Sequence, residues 1–257
     1  MRIISINLNG IRSASSKNFF EWLHKQKADL VCMQETRIQP EQLSKFMLNP
    51  AGLKSAFVFA VKKGYSGVGI YFKKTPDRVQ EGIGWSELDV EGRFIQADFG
   101  KLSIVSLYLP SGSRGDIRQN FKYKVLEYLE KWLSGAKLSG REIIICGDWN
   151  IAHKKIDLKN WKSNQNNSGF LPKEREWLTK IFSEIGYVDV FRILNPNPDH
   201  YTWWSNRGRA WDNNVGWRLD YQVATPGIGT KAVKQKIYKK ERFSDHAPLI
   251  IDYDYEL

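Results

Sequence analysis

Glu142–Asn150 reads E-I-I-I-C-G-D-W-N, and this stretch decides the architecture. The apolar run through Cys146 has the composition of a buried strand, Gly147 breaks it, and Asp148 and Asn150 follow at once. If the extended backbone continues, a two-residue spacing turns both polar groups to one side. An acid beside an amide can position a water and hydrogen-bond a phosphate oxygen; the plain alternative is an ordinary Asp/Asn turn after a strand. The same design recurs outward along the chain. Ile3–Asn9 ends in Asn7 and Asn9 on one face, and Asp29–Gln34 leads into Glu35. Leu219–Ala224 carries Asp220, an acid that needs a partner inside an apolar strand. Asp245 and His246 stand just before Pro248–Tyr253. Gly67–Phe72, Phe94–Phe99 and Ser103–Leu109 complete the strand-like runs.

Helical stretches fall at about Asn18–Lys27, Pro40–Met47, Ile117–Leu133 and Pro172–Ile185. The last has Pro172 at its start and Glu174 in its first turn, where proline and acidic residues belong. Several strands adjoin others without a helix between them, which points to mixed sheets. The expected fold is an α/β sandwich, two sheets face to face with helices outside. No internal repeat or linker divides the chain, so residues 1–257 are expected to form one domain.

Hydrophobic residues make up 42% of the 257, enough for a sizeable core. Lys and Arg number 39 against 28 acidic residues, a net charge of +11. Such a surplus suits either a polyanionic partner or a solubilising surface. The N-terminus lacks the apolar core of a signal peptide, and nothing approaches a membrane span. The two cysteines, Cys32 and Cys146, lie in apolar runs without zinc-like spacing. A soluble cytoplasmic protein is expected, nucleoid-associated if the source is bacterial or archaeal.

Glu35, Asp148, Asp220 and Asp245, with the amide oxygens of Asn7 and Asn150, form a hard, oxygen-rich set suited to Mg²⁺. With four histidines and no thiolate cluster, zinc is disfavoured. Mg²⁺, a histidine cation and a tyrosine together could stabilise charge growing on a phosphoryl oxygen, the requirement of metal-assisted phosphoester hydrolysis.

The strings N-L-N-G-I-R, V-C-M-Q-E-T, K-G-Y-S-G-V, Y-L-P-S-G, C-G-D-W-N-I-A-H, N-S-G-F-L-P-K-E-R-E-W, V-G-W-R-L-D-Y and S-D-H-A-P occur in that order. Over essentially its whole length the chain resembles the exonuclease III-type abasic-site endonucleases of the endonuclease/exonuclease/phosphatase superfamily. The resemblance implies the four-layer, DNase I-like sandwich. It assigns Glu35 as the main metal ligand, helped by Asn7 and Asp245, with Mg²⁺ as the ion and Mn²⁺ as a substitute. Asp148 would orient or deprotonate the attacking water, and Asn150 would hold it or the phosphate. His246, polarised by Asp220, would stabilise the phosphorane, and Tyr108 would contact the scissile phosphate.

Tyr201–Trp217, Y-T-W-W-S-N-R-G-R-A-W-D-N-N-V-G-W, interleaves aromatics and arginines as a nucleic-acid loop does, although Trp204 reads equally well as core. By resemblance, Trp203, Trp217 and Leu219 would line a small apolar pocket for a flipped abasic sugar, too small to admit a base. Arg12, Ser13, Lys17 and Tyr65 match positions that grip backbone phosphates, Asn164 and Asn167 match asparagines near the scissile phosphate, and Arg114 matches an arginine that enters the groove. Ile6 replaces a common aromatic, and Arg207 stands where some relatives have an apolar wedge. The implied partner is double-stranded DNA with abasic sites or 3′-blocked ends, engaged by a monomer away from membranes. Two rivals are a lipid or inositol-phosphate phosphatase, which needs neither +11 nor the Trp-rich loop, and a catalytically dead DNA-binding module.

Overall fold

A computed structural model describes residues 1–257. Its strands in chain order are β1 (Arg2–Asn7), β2 (Leu30–Gln34), β3 (Lys54–Val58), β4 (Val68–Phe72), β5 (Arg78–Glu81), β6 (Phe94–Phe99) and β7 (Leu102–Tyr108). There follow β8 (Glu142–Asp148), β9 (Val188–Asp189), β10 (Trp203–Trp204), β11 (Gly216–Trp217), β12 (Asp220–Ala224), β13 (Ala232–Ile237) and β14 (Leu249–Tyr253). The α-helices of five residues or more are α1 (Ile11–Ser15), α2 (Phe19–Gln26), α3 (Asp116–Leu138), α4 (Pro172–Lys180) and α5 (Val190–Leu194).

One sheet runs β13-β14-β1-β2-β4-β3 and the other β5-β6-β7-β8-β12-β9, with β10-β11 as a separate ribbon. Only the central pairs β1–β2 and β7–β8 are parallel, because helices α1 and α2 bridge the first and α3 the second. Side-chain alternation then sorts the layers. Ile3, Leu30 and Cys32 meet Ile104, Ile144 and Cys146 between the sheets. Ile4, Ile6, Val31 and Met33 face α1 and α2, while Val105, Leu107, Ile143 and Ile145 face α3 and α4. The result is the expected four-layer sandwich of two mixed sheets with flanking helices. No helix is long and apolar enough to cross a membrane.

The eight strands expected from sequence form within two residues of their bounds at each end. Those not foreseen are β3, β5, β9 and β13, all at sheet edges, and the two-residue ribbon strands. Edge strands such as β5 and β13 expose charged side chains and lack the apolar run of a buried strand. The expected helix Pro40–Met47 is instead a 3₁₀ turn, Pro40–Gln42, and a separate short helix, Lys45–Leu48. The backbone is extended at Leu43, and the Ser44 hydroxyl restarts the helix by accepting the Met47 N–H. Helix α3 runs further than Ile117–Leu133, and α4 widens into a π-turn at Ile181–Ile185.

Candidate active site

The carboxyl ends of β1, β2, β7 and β8 and the amino ends of β12 and β14 meet at one edge of the sandwich. Along these strands the row facing the opposite sheet changes character. Apolar at the far end, it becomes a buried polar layer of Ser5, Gln34, Ser106 and Gln222. Gln34 Nε2 donates to Ser106 Oγ at 2.9 Å, and Gln222 Oε1 accepts from the Tyr253 hydroxyl at 2.9 Å. One layer further out stand Asn7, Tyr108, Asp148 and Asp220, with Asp148 in register with both Tyr108 and Asp220. Gly147 lets β7 and β8 close on each other beside Asp148: a Cβ there would lie 2.0 Å from the Leu107 carbonyl oxygen.

Asn7 ties the two sheets together. Its Nδ2 donates to Glu35 Oε1 at 2.8 Å and to Asp148 Oδ2 at 2.9 Å. Asp220 Oδ2 bonds His246 Nδ1 at 2.8 Å, and His246 Nε2 lies 3.8 Å from Asp148 Oδ2. Asp220 thus has the partner its apolar strand demands. Asp245 Oδ1 accepts from Asn9 Nδ2 at 2.8 Å and its Oδ2 from Trp203 Nε1 at 3.0 Å.

The turns that deliver these groups are left-handed. Asn9 (φ 46°), Glu35 (49°), Arg37 (49°) and Asn150 (50°) all have positive φ, which for non-glycine residues costs roughly 1–2 kcal/mol each and tends to persist at functional sites. The extended backbone that would align Asn7 with Asn9 and Asp148 with Asn150 therefore does not continue. The turn itself brings Asn150 back: its N–H donates to Asp148 Oδ1 at 2.9 Å, and its Nδ2 to Leu109 O at 2.9 Å.

Burial pushes the Asp148 carboxyl up, the His246 cation pulls it down and Asp220 raises it again, to about 7. Burial alone would lower His246, but Asp220 and Asp148 more than offset that and hold it at about 10. Glu35 is raised by burial and lowered more by Arg37 and the Asn7 amide, so it stays below the usual range. Asp245 is held down likewise, by His246, Asn9 and Trp203 against burial. Burial and the Glu35 charge push the Tyr108 phenol well up despite Arg93. At neutral pH the site presents an imidazolium, a phenol, two firm carboxylates and one carboxylate near its midpoint.

These groups floor a cleft of about 780 Å³. Of the residues expected from sequence, Glu35, Tyr108, Asp148, Asn150, Asn167, Trp203, Arg207, Trp217, Leu219, Asp245 and His246 line it, with Asn7 and Asp220 buried beneath. Ser13 and Lys17 line an adjoining hollow that shares Asn9 and Asp245 with the cleft. Arg12 and Arg114 are exposed nearby, on α1 and on the loop whose Gly112 and Ser113 reach the cleft. Asn164 sits behind Asn167, accepting its Nδ2 at 2.7 Å. Tyr65 is not among the residues lining the cleft, and its hydroxyl accepts N–H bonds from Arg93 and Arg118, both at 2.9 Å. Trp204 is core, fully buried.

Arg37, Gln119, Lys122 and Glu174 were not expected at the site, and Asn9, expected only as a strand-end amide, joins them there. Arg37 pairs with Glu35, and nothing but its position two residues on signals this. Glu174, the acid in the first turn of α4, is fully buried against Lys122 at 2.6 Å. The signal for Lys122 was available. It sits on the apolar face of α3 with Val125, Leu126, Leu129 and Leu133, where a lysine needs a partner.

The cleft's donors fit a hard divalent cation, since carboxylate and amide oxygens crowd it and both thiols are buried elsewhere. Ligand atoms of Asp148, Asp220 and His246, all within 4.8 Å of one another, form an acidic and histidine cluster that could hold a metal. The Asp220–His246 hydrogen bond occupies two of those atoms, and Glu35 and Asp245 add two further carboxylates at the cleft wall, held in place by Asn7, Arg37, Asn9 and Trp203.

Residues 4–246 match the description of the Endonuclease/Exonuclease/phosphatase family. The chain is 39% identical over 256 residues to an exodeoxyribonuclease of Bacillus subtilis, covering 97% of this chain and 98% of the relative. It is 38% identical over 262 residues to a DNA-(apurinic or apyrimidinic site) endonuclease of Dictyostelium discoideum, covering 99% and 71%. Among solved structures, an AP endonuclease from Archaeoglobus fulgidus superposes with a TM-score of 0.90 at 29% identity, covering 99% of this chain and all of the other.

Proposed function

The chain belongs to the endonuclease/exonuclease/phosphatase family, and from that membership we propose a DNA-repair nuclease that hydrolyses the phosphodiester 5′ to an abasic site. The products are a 3′-hydroxyl and a 5′-deoxyribose phosphate, and 3′→5′ exonuclease and 3′-phosphodiesterase activity belong to the same proposal. The relatives' names support the class of reaction. The observation that carries the reading is the run of polar contacts from Glu35 through Asn7, Asp148 and His246 to Asp220, beneath a cleft walled by Trp203 and Trp217.

Residues 1–257 act as one catalytic domain. Glu35, Asp245 and the amide oxygen of Asn7 would hold Mg²⁺. When bound, the ion supplies Lewis-acid stabilisation of charge on the phosphate. Asp148, poised near neutrality, orients the water and takes its proton. Asn150 holds the water or a phosphate oxygen. The His246 imidazolium, kept charged by Asp220, neutralises charge growing on the phosphoryl oxygens, and the Tyr108 hydroxyl donates to the scissile phosphate. Trp203, Trp217 and Leu219 form an apolar wall of the cleft against which an extruded abasic sugar packs.

The test is a labelled duplex with one tetrahydrofuran abasic analogue and an intact control, each with Mg²⁺ or EDTA. One Mg²⁺-dependent incision 5′ to the analogue, with the control uncut, is the expected result. Equal degradation of both duplexes would move the reading to a general nuclease.

A further inference from the structure

Lys122 on α3 and Glu174 on α4 are both fully buried and bond at 2.6 Å. Burying two charges costs more desolvation than their attraction commonly returns, and an apolar pair of like volume would serve packing as well. The contacts the pair makes point to another use. Lys122 Nζ also donates to the Asn150 carbonyl at 2.8 Å, directly beneath the left-handed turn that returns the Asn150 side chain to Asp148. Glu174 Oε2 accepts the Gly169 and Leu171 N–H groups at 2.7 and 3.1 Å. Its Oε1 takes Gln119 Nε2 at 3.1 Å and the Ser168 hydroxyl at 3.4 Å. Ser168 Oγ in turn accepts the Gly112 N–H at 3.1 Å, and Gly112 packs closely here, since an added Cβ would lie 1.8 Å from Gln119 Oε1 and displace that side chain. Three walls of the cleft, at Asn150, at Asn167–Gly169 and at Ser111–Ser113, thus converge on one ion pair outside it.

We infer that Lys122 and Glu174 are positioning residues for hydrolysis: the ammonium fixes the Asn150 turn and the carboxylate anchors the Asn167 and Gly112 loops to the same point. This rests on the reading of the cleft as the hydrolytic site. Neither residue touches substrate.

The discriminating variant is Lys122→Met combined with Glu174→Gln, beside Lys122→Met alone. The single change strands a buried carboxylate and lowers Tm. The double change removes both charges and brings Tm back toward wild type. It leaves Asn150 without its ammonium, so kcat on the abasic duplex stays about 100-fold low, the scale expected for a displaced group, while KM is unchanged. Amide hydrogen exchange at Asn150, Ala152 and Gly169 also rises, with β8 core amides still protected as the check that the compared molecules are folded. A double variant with wild-type kcat and wild-type exchange overturns the inference. If the wild-type protein fails to cut the abasic duplex, the functional reading falls, and exchange alone then judges the pair: faster exchange sustains it and unchanged exchange sinks it.

Discussion

Asp148 sits between a cation and two acids, and its carboxylate holds the site's geometry as well as its charge. It accepts from Asn7 and Asn150 while lying 3.8 Å from His246. Asn in its place keeps the shape and loses the charge that can take a proton. Asp148→Asn is therefore expected to lower single-turnover cleavage about 10²–10⁴-fold, the usual worth of a general base. Duplex affinity by filter binding should hold or rise, because a negative charge leaves the phosphate site. Cleavage near the wild-type rate would remove Asp148 as the base. His246 gives a pH prediction of definite sign. Its folded value of about 10 lies above the ordinary one, so the imidazolium persists through neutrality and is lost as pH rises toward 10. Asp220→Asn removes the strongest group raising it while burial remains. The alkaline limb of the kcat–pH profile should then move to lower pH, and an unmoved limb would mean that His246 does not set it. Both residues were legible in the sequence because each interrupts or ends an apolar run. Arg37 was not, and Asn9 was legible only as a strand-end amide, because left-handed turns rather than pleat bring both to the site.

The ribbon β10–β11 shows how elements hold residues that carry no charge. It pairs Trp203 with Trp217, whose rings meet edge-on at 6.4 Å, and Phe170 meets Trp217 at the same distance. Trp217→Ala opens this wall, so the ratio of kcat/KM for abasic over intact duplex should fall; an unchanged ratio would locate lesion selectivity elsewhere. The wall is braced from behind by Arg218, which lies between Trp217 and Leu219, is buried, and bonds Asp157 at 2.8 Å and Asp189 at 2.7 Å. Burial pushes the Asp157 carboxyl up, but Arg218 and Arg192 outweigh it and hold it well below the usual range. Its stabilisation is therefore present above the ordinary aspartate value of about 3.9 and drains away as pH falls below it. Asp157→Asn should destabilise the neutral protein by about 3–5 kcal/mol, as expected when one partner of a buried pair is removed. It should also flatten the acid slope in denaturant titrations below pH ~4; a parallel slope would mean the carboxylate is not the titrating group. The ribbon and the edge strands escaped the sequence because two-residue strands carry no periodicity and edges carry charge. The central strands, buried on both faces, announced themselves.

At the scale of the whole molecule, the charge of +11 left a polyanion-binding face and a solubilising surface as equal readings. The structure separates the cations by what they pair with. Arg2, Arg37, Arg93, Arg118, Arg192 and Arg218 all pair with carboxylates, Arg93 and Arg118 sharing Glu91 and Arg192 and Arg218 sharing Asp157. Arg12, Lys17, Arg207 and Arg242 are exposed around the cleft and its adjoining hollow, and Lys17 and Arg242 line that hollow with Asn9 and Asp245. The opposite end of the first sheet has its own exposed pair, Lys73 and Lys74, beside Asp29 and Met1. If duplex lies across the cleft, each contacting cation releases counterions from one phosphate, and the slope of log affinity against log salt changes by about 0.9 per contact. Alanine at Lys17, Arg207 or Arg242 should each flatten the slope by about that amount, whereas Lys74→Ala, which removes the same charge from the far end, should leave it unchanged. Fluorescence anisotropy of an uncut abasic duplex in EDTA across a salt series reads this directly, free of turnover. Equal flattening by Lys74→Ala would mean that the surplus acts as a diffuse field, and that the cleft owes its substrate to shape and not to the placement of its cations.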